Sequence, residues 1–111
     1  MLGVRQRYAD AYVIKGNIEA ALQDYESARK SYAQAAKLLP RAATCYLFAV
    51  TILQIKDPTE ADLSLARDYL TQIIEKNLGF PNAKSHMAEV YDKMGETETA
   101  DAFRRRTKAE D

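Results

Sequence analysis

The sequence predicts an all-α chain of stacked helical hairpins, and two observations carry that prediction. Glycine and proline stand only at Gly3, Gly16, Pro40, Pro58, Gly79, Pro81 and Gly95, and most intervals between them carry apolar residues at helical spacing without strand-like alternation. Equivalent side chains also recur at a fixed interval: Tyr12 to Tyr46 spans 34 residues, and Ala66 to Ala100 spans 34 again. Such a recurrence marks a unit of two short helices that buries its apolar face by stacking on copies of itself.

The first helix is predicted over about residues 8–21, where Tyr8, Ala11, Tyr12, Ile14, Ile18 and Leu22 fall at the threes and fours of one helix face. The second carries Tyr25, Ala28, Tyr32, Ala35, Ala36 and Leu39. It stops at Pro40, which has no amide hydrogen and disfavours helical geometry in the residue before it. A third begins near Arg41 and runs through Tyr46, Leu47, Ala49, Val50, Leu53 and Ile55. Asp57-Pro58-Thr59 then offers a cap, a first-turn proline and a second candidate cap. The fourth helix follows through Leu63, Ala66, Tyr69, Leu70, Ile73 and Ile74. After the break at Gly79-Phe80-Pro81, a fifth holds Met87, Ala88, Val90, Tyr91 and Met94 and ends at Gly95. Thr97 is placed to cap a sixth, through Ala100 and Phe103.

A length of 111 residues suits one domain, here 1–111, with a modest core. Sixteen basic residues balance sixteen acidic ones, so no overall field draws in phosphate backbones or anionic lipid, and nucleic acid is not the expected partner. The longest apolar run, residues 45–53, is about half of the ~20 residues that a membrane-spanning helix needs, so no membrane insertion is expected. The opening residues lack the apolar core of a secretion signal, and Gly3 is not at the position that myristoylation uses; an intracellular, cytoplasmic and unanchored chain is expected. The single cysteine, Cys45, sits in the apolar run, where a buried and inert thiol is the usual outcome.

With this interval, the chain resembles the tetratricopeptide repeat family, whose unit of about 34 residues places small and aromatic residues at set positions and a proline at its end. A first repeat, about 9–42, offers Tyr12, Gly16, Ala28, Tyr32, Ala35 and Pro40. A second, 43–80, offers Tyr46, Val50, Leu53, Ala66, Leu70 and Ile73, and a third, 81–111, offers Met87, Ala88, Tyr91, Gly95 and Ala100. Gly16 to Ala28 and Ala88 to Ala100 are each 12 residues, whereas Val50 to Ala66 is 16, so four residues are inserted near 57–61, in a turn that tolerates them. Lys15, Val50, Lys84 and Arg104 depart from the family's pattern. The resemblance implies a right-handed superhelical stack of three hairpins, six to seven helices in all, closed by a polar last helix. The extension through Tyr8 is expected to cover the first end.

In that family the first helix of each hairpin lines a concave face. The resemblance therefore assigns a partner-binding groove to Val13 and Asn17, to Leu47, Phe48, Thr51 and Gln54, and to Ser85, His86 and Glu89. Leu47 and Phe48, with Asn17, Thr51 and Gln54 as polar neighbours, suit a helical or extended segment carrying aliphatic anchors. The competing reading of Leu47 and Phe48 is plain core packing, as a central helix that is apolar all round requires. Cations do not converge on these positions, so a free terminal carboxylate has no adequate counter-charge there. His86 has only Glu89 as a nearby candidate ligand, which makes no metal site, and no phosphate-cradling loop or nucleophile beside a base is present. The expectation is a non-catalytic, cofactor-free scaffold that binds protein or peptide, within a larger assembly. The alternatives are a self-associating module, pairing through its end faces or the tyrosines Tyr25, Tyr32 and Tyr69, and an accessory domain of a multi-subunit enzyme. The basic run Arg104-Arg105-Arg106 with Lys108 is read as a solvated closing face.

Overall fold

The computed structural model describes residues 2–110; the side chains of residues 2 and 107–110, and with them that of Lys108 in the basic run, lie outside the described residues. Six helices follow in order: α1 Leu2–Ala21, α2 Tyr25–Leu38, α3 Ala42–Gln54, α4 Glu60–Glu75, α5 Ala83–Lys93 and α6 Thr97–Glu110. No strand occurs among the described residues. Consecutive helices pack together throughout, and α3 and α5 touch as well, so three hairpins stack into a body of 42 × 29 × 22 Å. The all-α hairpin stack read from the sequence is the observed fold.

Local chemistry sets the boundaries. Asp24 caps α2 by accepting from the Ser27 amide at 3.3 Å, and Thr59 caps α4 by accepting from the Asp62 amide at 3.1 Å. Gly95 takes a φ of +84° just beyond α5, a left-handed conformation that costs glycine nothing and ends the helix. Thr97, read as a cap, is instead the first residue of α6, a one-residue difference within the fraying of a helix end. The interval between Val50 and Ala66 is taken up by residues 55–59, which join α3 to α4 where 22–24 and 94–96 serve the other hairpins, and by an α4 that starts further ahead of its buried alanine.

Two readings of the first hairpin change. Helix α1, predicted from about residue 8, extends back to Leu2, because nothing in residues 2–7 breaks a helix strongly enough to turn the chain. Tyr32, read as an outer tyrosine, is 2% exposed within the core.

The core runs through all three hairpins and includes Ala28, Phe48, Ile52, Leu63, Ala66, Leu70, Met87 and Val90. Small residues sit where paired helices come closest: Ala28, Ala66 and Ala100 are fully buried. At Gly16 the approach is closer still, since a Cβ there would meet the Tyr32 ring at 2.7 Å. The ring has little room to yield, being buried and tied through its hydroxyl to Asn17. Gly16→Ala therefore sets a helix-propensity gain of about 1 kcal/mol against overpacking of about 1–3 kcal/mol, and a net loss is expected. Thermal unfolding followed by circular dichroism checks this: the midpoint falls in Gly16→Ala, whereas in a Tyr32→Leu background the same change raises it.

Candidate partner-binding groove

The first two hairpins enclose a concavity of about 510 Å³. Asn17, Ala20 and Ala21 of α1 form one wall, Leu47, Val50, Thr51 and Gln54 of α3 the other, and Tyr25 and Tyr32 of α2 the floor. The gap exists because α1 and α3 both lean on α2 and make no extensive contact with each other.

The polar groups of this cavity are already partly engaged. The Tyr32 hydroxyl donates to Asn17 Oδ1 at 2.5 Å, which fixes the amide and leaves its NH2 as the donor offered to an incoming group. Thr51 donates its hydroxyl to the Leu47 carbonyl at 2.7 Å, one turn back along its own helix. It contributes shape to the groove rather than the donor that the sequence suggested. Gln54 is exposed at the rim with its amide available to solvent.

Of the residues assigned from the sequence, Asn17, Leu47, Thr51 and Gln54 come together here. Val13 is half-buried and packs on the core beside the cavity. Phe48 is a correction: it is 1% exposed and meets Tyr69 of α4 edge to face, with ring centroids 5.7 Å apart, so the ring fills the seam inside the second hairpin and cannot line a surface.

Ser85, His86 and Glu89 lie on α5, outside the cavity lining. They hold the positions on α5 that follow Leu47, Phe48 and Thr51 of α3 at a spacing of 38 residues, the repeat interval plus the four inserted. His86 stands edge-on to Tyr46 at 5.5 Å, and Tyr46 in turn stacks on Phe80 at 4.6 Å. The His86 Nδ1 is buried and 3.8 Å from Glu89 Oε1, beyond hydrogen-bond reach. Among the described residues no group of three or more His, Cys, Asp or Glu side chains is arranged to hold a metal ion.

Ala21, Tyr25, Tyr32 and Val50 line the groove without having been assigned to it. One signal was available for Tyr32: the glycine immediately before Asn17 lets an aromatic of α2 lie across that turn, which brings its hydroxyl to the asparagine. Val50 replaces the family's small residue and was visible only as a departure.

Residues 9–40 match the family model of the tetratricopeptide repeat, a segment that begins in the inner face of α1 and ends at the proline closing α2. No curated protein matches the chain. The match and the six-helix, all-helical architecture together support a tetratricopeptide-type family with a few repeats. Repeats of this kind are typically non-catalytic scaffolds for other proteins.

Burial pushes the phenols of Tyr32, Tyr46 and Tyr69 above their ordinary range, with smaller contributions from Glu19, Glu89 and Cys45 respectively. Their neutral forms are therefore favoured by folding. The sign follows: the stability they contribute is present below the unfolded phenol value of about 10 and is lost as pH rises through the folded values. Urea unfolding at pH 8 and pH 11 should show a lower midpoint at pH 11, and Tyr32→Phe should reduce that difference.

Proposed function

We propose that the chain is a protein-interaction module which receives a helical or extended segment of a partner in the concavity between α1 and α3, as one element of a larger assembly. The observation that carries this reading is the cavity itself: Leu47 and Val50 on one wall and Ala20 on the other give it apolar sides, and Asn17 and Gln54 present amides at its edge. That combination accepts an aliphatic anchor and reads the polar groups next to it. The equivalence of Ser85 and Glu89 with Leu47 and Thr51 extends the face along α5, where the exposed Glu89 favours a basic residue further along the partner. The reading is non-catalytic and needs no cofactor. No helix among the described residues is long and apolar enough to cross a membrane.

Leu47→Glu puts a charge on the apolar wall and should lower partner affinity by at least about tenfold, the range of an anchor lost from an interface centre. Leu47 is half-buried against the core, so the unfolding midpoint should fall as well, and circular dichroism at the capture temperature should show the helices kept. Capture from native lysate with the two proteins in parallel tests the assignment. Partners retained by the wild type and lost with Leu47→Glu support the groove, whereas equal retention by both removes it.

A further inference from the structure

The outer side of α1 carries an apolar stripe that the described residues leave open: Val4 is 46% exposed, Tyr8 60%, Ile14 60%, Ile18 57% and Leu22 75%. These side chains fall on one face of the helix, opposite Ala9 and Gly16, which are buried on the side that packs against α2. The 34-residue interval identifies the stripe. It carries Ile14 onto Phe48 and Ile18 onto Ile52, which are 1% and 0% exposed. In α3, flanked by α2, α4 and α5, this register is core; in α1, whose extensive contact is with α2, the same register faces solvent. Ile14 and Ile18 thus hold the register of a packed face, and here that face is uncovered.

We propose that a second copy of the chain covers it, the two α1 helices pairing antiparallel about a two-fold axis near residue 13. The stripe is close to palindromic about that point, so that Val4 stands opposite Leu22 and Tyr8 opposite Ile18 when the helix is turned end for end. Charge favours the same direction. The first half of α1 carries Arg5 and Arg7 against Asp10, and its second half, in which Lys15 is paired with Glu19, runs into Asp24; antiparallel pairing sets the basic half beside the acidic one, whereas parallel pairing sets Arg5 and Arg7 against themselves. Head-to-tail stacking is poorly matched, since α6 presents the exposed Asp101, Arg104 and Arg105 rather than an apolar stripe. The groove opens from Asn17 and Ala20, on another side of α1, and stays accessible in the pair.

Size sets the strength. Residues 4–22 span about 27 Å of helix about 10 Å wide, on the order of 300 Å² of footprint, well short of the roughly 800 Å² per partner of a stable interface. The pair is therefore weak and reversible. Sedimentation velocity from about 1 μM to about 1 mM should show the mass rise from one chain to two, and Ile18→Glu should move that transition at least about tenfold higher in concentration while helicity is kept.

A short bis-maleimide tests the direction. Cys45 is buried and its thiol is pushed up by that burial, so it stays silent and an introduced cysteine reports alone. Ala11→Cys, close to the axis, should cross-link to dimer. Leu22→Cys, about 27 Å from its own counterpart in the antiparallel pair, should not. A monomer across the whole range, an Ile18→Glu variant that associates like the wild type, or Leu22→Cys linking as readily as Ala11→Cys would each overturn the proposal. The first of these outcomes would leave the stripe to a preceding helical segment or to an unrelated partner.

Discussion

The pairing of helices in this chain rests on small residues buried between them, and the arrangement of much else follows from that constraint. Ala28, Ala66 and Ala100 meet it in the three hairpins, and Gly16 meets it in its strictest form, with the Tyr32 ring lying where a side chain would be. A larger residue at any of these points would push two helices apart and open voids along the whole seam, because a close-packed interior does not deform locally at low cost. The tight contact at Gly16 is also what delivers the Tyr32 hydroxyl to Asn17 and so builds the floor of the groove. The contact that packs α1 on α2 is therefore also the one that shapes the cavity.

Around that apolar frame, polar side chains tie neighbouring helices together at the surface. Lys15 donates to Glu19 at 2.9 Å and to Ser31 of α2 at 3.3 Å, and Ser31 donates to Glu19 at 2.5 Å. These bonds, the one from Ser31 first, hold the Glu19 carboxyl below its usual range. Arg41 pairs with Asp10 at 2.6 Å, Arg29 of α2 lies 3.5 Å from Asp62 of α4, and Arg104 of α6 pairs with Asp92 of α5. Where such a pair is solvent-exposed, as between Arg104 and Asp92, it contributes at most about 1 kcal/mol. Their effect is on alignment, since each bridges two elements that the core has already brought near.

Those contacts explain which features the sequence disclosed. The helices were legible because Pro40, Gly95 and Thr59 act locally and because apolar spacing repeats over many residues; the turn after α1 was less so, since Gln23 takes a left-handed φ of 62° without a glycine to mark it. Two of the departures from the family pattern, Lys15 and Arg104, turn out to be bridging charges, which a repeat template based on apolar packing does not anticipate. Phe48 was misassigned for a physical reason: on a helix that is apolar all round, periodicity does not distinguish the side facing the groove from the side facing α4. Asn17, Leu47, Thr51 and Gln54 share one side of two adjacent helices, and the repeat interval was enough to bring them together. The engagement of Thr51 by its own helix, and of Asn17 by Tyr32, depends on distances that no spacing rule supplies.

The central claim is that partner recognition takes place between α1 and α3. Nitrogen–proton correlation spectra of the labelled protein, recorded while a captured partner segment is added, test it most directly. The account predicts that the side-chain amides of Asn17 and Gln54 and the backbone amides around Leu47 and Val50 shift together, with the outer residues of α1 unmoved. Shifts confined to Tyr8, Ile18 and Leu22, with the Asn17 and Gln54 amides unchanged, would contradict it.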